Sequence, residues 1–163
     1  MKKIFYLAAI ACISLFVSCE KSGVPHTGDE TGTLYGVWAL TTKTVITEDS
    51  NGKQTSEDVD FTANHFYIAL GNFPFPYVIA KKGSFTDFDL KDVDVDAARY
   101  TYNSDLKQIS FTKLVLLTDE NLTRNMSLLG TFDVLELSDT KLVIQQEEKL
   151  LGRTIKYSYK KQK

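Results

Sequence analysis

From residue 34 onward the chain is a succession of short runs in which apolar and polar side chains alternate, divided by Gly, Asn, Asp and Ser. Alternation with a period of two puts successive side chains on opposite faces of an extended backbone, so these runs read as half-buried strands. The clearest are Gln108 to Thr112, with Ile109 and Phe111 on one face, and Thr154 to Lys160, with Ile155, Tyr157 and Tyr159 opposed to Thr154, Lys156, Ser158 and Lys160. The pattern predicts strands over 36 to 48, 54 to 63, 64 to 71, 77 to 87, 97 to 103, 107 to 117, 131 to 138, 141 to 149 and 152 to 161. In the first of these, Trp38, Leu40 and Ile46 share a parity with Thr42 and Thr44, as in a bent or long coiled strand.

Turn chemistry supplies the connections. Asp49-Ser50-Asn51-Gly52 carries an Asn-Gly hairpin signal, and Asn103-Ser104-Asp105 and Ser138-Asp139-Thr140 divide later pairs of runs. Eight to nine strands joined by hairpins predict an all-β, antiparallel up-and-down barrel. A β-sandwich is the alternative, because alternation alone does not tell a closed sheet from two stacked ones. Leu114 to Leu117 and Met126 to Leu129, which flank DENLTRN, read as a long hairpin or a short helix beside the barrel.

The first 33 residues follow another logic. Lys2 and Lys3 precede an almost wholly apolar run from Ile4 to Val17, the form of a bacterial export signal. That run is shorter than the ~20 apolar residues a spanning helix needs, and no later segment approaches it. Phe16-Val17-Ser18-Cys19 resembles a lipobox, with Phe16 in place of the usual Leu. The resemblance implies a signal peptide over 1 to 18 and a lipidated Cys19, the palmitate-bearing first residue of the mature chain. The alternative is an ordinary cut near Ser18 that leaves a free secreted thiol. Cys12 departs with the signal, so no disulfide or thiol nucleophile is expected in the mature domain. Residues 19 to 33 have the composition of a solvated tether, and 34 to 163 form one domain.

Loss of Lys2 and Lys3 leaves 17 basic against 21 acidic side chains, about −4. Nothing in that balance suggests a nucleic-acid partner. The expected partners are the membrane, through Cys19, and a small apolar ligand or an envelope protein. Lipoproteins of the Bacteroidetes displayed at the cell surface carry lysine and acidic residues after the lipidated cysteine; Glu20-Lys21-Ser22 matches this only in part. The expected location is the outer membrane, with its periplasmic or outer face open.

Gly36-Val37-Trp38, at the start of the first strand, resembles the Gly-x-Trp signature of the lipocalin superfamily. With YTYNSDLKQISF, FDVLELSDTKLVIQQEEK and the terminal IKYSYKK, most of residues 34 to 161 resembles the small lipocalin-like domain of Bacteroidetes lipoproteins. A Thr-Asp-Tyr motif is lacking, and Leu117-Thr118-Asp119-Glu120 echoes it only partly. The resemblance implies that Trp38 closes one end of the barrel beneath a basic side chain of the last strand, with Arg153 the first candidate and Lys156 the second. The alternative is a Trp38 buried in apolar core with Arg153 in solvent. Trp38, Phe61, Phe66, Tyr102, Phe111, Phe132, Tyr157 and Tyr159 are expected inside, bulk that favours a mostly filled barrel with a shallow pocket at its mouth.

Catalytic chemistry finds little support. Asp92, Asp94 and Asp96 have the spacing of a calcium loop, but Ala97 stands where a Gly is needed and Asn103 where a Glu is needed. His26 and His65 are too few for a zinc site, and His65 reads as a partly buried strand residue. No Gly-x-Ser-x-Gly elbow is present. Glu57, Asp58 and Asp60 read as a solvated face. The expectation is therefore a non-enzymatic protein without metal or cofactor. Binding is assigned to Phe73, Phe75 and Tyr77, in the Pro-interrupted run Asn72 to Tyr77, placed at the end opposite Trp38; they contact a ligand or partner, or cap the mouth. Two functions follow: a binding module for a small apolar or amphipathic ligand, or an accessory subunit with a filled barrel that docks a partner protein.

Overall fold

The computed structural model describes residues 32 to 83 and 95 to 163. Nine strands form: β1 Gly36–Glu48, β2 Gln54–Asp60, β3 Phe66–Gly71, β4 Tyr77–Lys82, β5 Val95–Asn103, β6 Gln108–Thr118, β7 Asn125–Leu137, β8 Lys141–Glu148 and β9 Arg153–Lys161. The one helical element described is a 3₁₀ turn at Lys149–Leu151. Cys19, the tether as far as residue 31, His26, Asp92 and Asp94, and residues 84 to 87 of the strand predicted over 77 to 87, lie outside the described residues.

All neighbours are antiparallel, in the order β2-β1-β3-β4-β5-β6-β7-β8-β9, and β1 also pairs with β9. That last pairing closes the sheet, so the fold is a barrel and not a sandwich. Eight strands form the wall, and β2 is extra. β3 pairs with Gly36 to Ala39 and β2 with Thr42 to Glu48, so the two lie end to end along one edge of β1. Between them Phe61 N–H donates to Thr41 O at 2.8 Å, and the Phe61 ring is buried against Phe66, with centroids 5.5 Å apart. β2 is almost wholly exposed, with Glu57, Asp58 and Asp60 in solvent.

A bulge corrects the parity expected of β1. The β1–β9 register slips between Leu40 and Thr42. Before the slip, Trp38 and Leu40 face Lys161 and Tyr159; after it, Lys43 and Val45 face the buried Tyr157 and Ile155. Cross-strand partners share a face, so Lys43 and Val45 turn inward while Thr42, Thr44 and Ile46 take the outer face, where Thr44, set between Asp58 of β2 and Lys156 of β9, is buried all the same. Thr41 is the extra residue, and its hydroxyl donates to Ser158 O at 2.9 Å.

The apolar runs around DENLTRN are the facing arms of the β6–β7 hairpin, with no helix. Val115, Leu117, Met126 and Leu128 are buried, while Leu114, Leu116 and Leu129 are exposed. The Asp119 carboxylate holds the turn, accepting from Thr123 N at 2.7 Å, Arg124 N at 3.0 Å and the Thr123 hydroxyl at 2.7 Å. These bonds hold its pKa below the usual value, the Arg124 amide most of all.

The interior is filled by side chains. Phe111 meets Phe132 edge-on at 5.7 Å, Phe132 lies 6.2 Å from Tyr157, and Tyr157 lies 6.3 Å from Tyr159. Seven of the eight aromatics expected inside are buried. Tyr102 departs: it shares a parity with buried Tyr100, but it stands near the end of β5 and is 37% exposed.

Candidate functional site

Two rims bound the barrel. At the entry rim, where the chain arrives at β1, lie the β3–β4, β5–β6 and β7–β8 turns and the end of β9. The far rim carries the β1–β2, β6–β7 and β8–β9 turns.

Trp38 plugs the entry rim. Its ring is fully buried, and its indole N–H donates to Leu34 O at 2.9 Å. Lys161, opposite it on β9, holds its ammonium 4.9 Å from the ring centroid and donates to Thr33 O at 2.9 Å. Gly36 makes room for that side chain: a Cβ there would stand 2.9 Å from Lys161 Cε, and its φ of +131° disfavours any other residue. The Gly-x-Trp spacing thus has a local cause, a passage for the lysine stem followed by an inward ring.

The basic side chain over Trp38 is therefore Lys161, and neither Arg153 nor Lys156. β1 and β9 run antiparallel, so the start of one meets the end of the other. Arg153 lies opposite Thr47 at the far rim, and Lys156 lies opposite Thr44.

Polar groups close the far end of the core. The inward Lys43 donates to Asn125 Oδ1 at 2.9 Å and Asn125 O at 3.2 Å, with its ammonium 5.7 Å from the Tyr157 ring centroid. Burial, then Arg153, depress the Lys43 pKa against the opposing pull of Glu148. Arg153 pairs with Glu148. The Tyr157 hydroxyl donates to Ser127 O and accepts from Ser127 N, both at 3.1 Å, while burial pushes its pKa up to about 12. These satisfied groups sit where an open calyx would need free volume. The sequence conceals this cluster because Lys43 turns inward only through the bulge.

The aromatic loop does not lie opposite Trp38. Gly36 pairs with Leu70 and Gly71 with Tyr77, which puts Phe73, Phe75 and Tyr77 at the entry rim, the same end as the plug. Nor does the loop cap a mouth. Val78 and Ala80 fill the core, so Tyr77 and Ile79 take the outward parity, cross-strand from Arg99 and Ala97. Phe75 lies against the Arg99 guanidinium, 4.2 Å from centroid to Cζ. Pro74, Phe75, Tyr77, Ile79, Ala97 and Arg99 line an outer groove of about 530 Å³. Gly71 admits the Tyr77 ring, since a Cβ there would be 2.2 Å from Tyr77 Cζ. Phe73 stands clear, 85% exposed. Beneath, burial and then the neighbouring Tyr35 and Tyr77 push the Tyr100 pKa up to about 12. Sequence reasoning found the loop and missed Ile79, Ala97 and Arg99; the outward alternation of Tyr77 and Ile79 was the available signal.

His65 is exposed in the turn before β3, with φ of +52°, where a partly buried strand residue was expected. Among the described residues no group of three or more His, Cys, Asp or Glu is placed to hold a metal ion, and no helix is long and apolar enough to cross a membrane. Together these features define an antiparallel eight-stranded barrel with one extra strand, consistent with a lipocalin-like barrel, whose interior is packed and whose apolar groove lies on its outer wall. Comparison with protein families, curated proteins and solved structures finds no match to the chain.

Proposed function

We propose that this protein is a non-enzymatic binding module of the bacterial outer membrane, anchored through lipid on Cys19, that receives a small apolar or amphipathic group on the outer wall over β4 and β5. The observation that carries this reading is the pairing of a filled interior with the groove between Phe75 and Ile79, bordered by the Arg99 cation. An apolar floor beside one fixed charge suits an amphiphile: the chain covers Ile79 and Ala97 while an anionic head meets the guanidinium.

A second reading, an accessory subunit that docks a partner protein, draws on the exposure of Phe73 beyond the groove. Titration of the mature chain with a fluorescent fatty acid, set beside Ile79→Glu and Ile109→Val, separates the two. The groove reading expects saturable binding that Ile79→Glu abolishes and the interior change leaves intact. Absence of binding to the unaltered chain would favour the docking subunit.

A further inference from the structure

The geometry points to the entry rim as a face that rests on the bilayer, with Phe73 and the outer groove contacting the phospholipid surface itself. This rests on the readings of Cys19 as lipidated and of the groove as a site for amphiphiles, and it names the amphiphile as lipid of the anchoring membrane.

Three observations converge. First, the chain leading to Cys19 leaves from this rim: Gly32 N–H donates to Leu137 O at 3.4 Å, and Lys161 grips Thr33 O. Twelve residues lie between Cys19 and Gly32, and the thirteen Cα-to-Cα steps from one to the other, at ~3.5 Å each, span no more than about 45 Å. The entry rim is thus where the anchored chain joins the barrel. Second, this rim exposes rings of the kind that partition to the headgroup boundary, Tyr35, Phe73, Phe75 and Tyr102, with Leu106 in the β5–β6 turn. Third, the rim holds cations: Lys160 and Lys163 gather beside Asp139 around a depression of about 610 Å³, next to the Lys161 ammonium that Trp38 and Thr33 already hold, and Arg99 stands at the groove. Cations among exposed aromatics match phospholipid headgroups. The far rim differs in its apolar residues: those it exposes are the aliphatic Leu122, Leu150 and Leu151, with no aromatic ring among them, in surroundings of mixed charge where Glu48, Asp49 and Glu147 stand beside Lys149 and Arg153.

The test uses the lipidated mature chain in vesicles of phosphatidylethanolamine and phosphatidylglycerol. A polarity-sensitive fluorophore is placed on Phe73→Cys or, separately, on Leu150→Cys; both native side chains are exposed, so neither change disturbs the core. The expected result is a blue-shifted label at 73, several-fold protected from an aqueous quencher and quenched by brominated lipid, with the label at 150 remaining fully wet. Equal water access at 73 and 150, or shielding of both, overturns the inference. Shielding of 73 in native envelope membranes but not in pure lipid also overturns it, in favour of a protein partner. Cys19→Ser is scored separately by sedimentation: its retention on membranes defeats the anchor reading, whereas its release together with a wet residue 73 in the lipidated chain leaves the anchor standing and defeats only the membrane contact.

Discussion

Lys161 and Trp38 lock the last strand to the first: the ammonium lies 4.9 Å from the indole centroid and the same group holds Thr33 O. Lys161→Met keeps the stem and removes the charge, so it should lower stability by about 0.5–2 kcal/mol and shift Trp38 emission. Arg153→Met removes an exposed-edge ion pair worth about 0–1 kcal/mol and should leave that emission unchanged. Urea unfolding followed by Trp38 fluorescence measures both; an emission change from Arg153→Met alone would sink the assignment.

Gly71 and Tyr77 form a second cross-strand dependence. Gly71→Val has no space for its side chain without moving the Tyr77 ring off the strand. We expect a loss of about 1–3 kcal/mol, the usual range for overpacking, and weaker amphiphile binding. Unchanged affinity would show that the Tyr77 wall does not shape the groove.

Alkaline pH should destabilise the fold through Tyr100, Tyr157 and Tyr159. Burial raises all three, the first two to about 12 and Tyr159 also well above its ordinary value. A raised folded pKa means that the unfolded chain releases these protons first. The stabilisation is fully present below about pH 10, the unfolded value, and is lost as pH rises toward and through about 12. Phenolate absorbance should show these three titrating late, together with unfolding; their titration near pH 10 in folded protein would contradict the packed interior.

The bulge at Thr41 makes an unusual forecast. Deleting Thr41 leaves Trp38, Leu40, Lys43 and Val45 in strict alternation, so the inward set survives. The cost should be about 1–3 kcal/mol, for the bonds that Thr41 makes to Ser158 and Phe61. Circular dichroism and urea unfolding of the deletion variant check this, and an unfolded product would contradict the assigned parity.

Much of the barrel was legible in the chain, because period-two alternation and Asn-Gly or Ser-Asp turns are local signals. Gln108 to Thr112 and Thr154 to Lys160 are strands as read. What failed was non-local. One extra residue at Thr41 reversed every side chain after it, hiding Lys43 and misplacing Ile46. The lysine over Trp38 depends on the register between the first and last strands, which no short window contains. The aromatic loop was found from its composition, but its end of the barrel and its outward aim follow from the β1–β3 and β4–β5 pairings. Arg99 and Ala97 enter the groove by that route alone.

The central claim is that recognition takes place on the outer wall of a filled barrel. Methyl NMR of the mature chain, titrated with a short-chain lysophospholipid below its micelle concentration, tests it most directly. Ile79 and Ala97 should shift saturably while Ile68, Ile109, Leu128 and Ile144 stay in place. Early shifts of those interior methyls, with Ile79 and Ala97 unmoved, would contradict it and restore an internal ligand site.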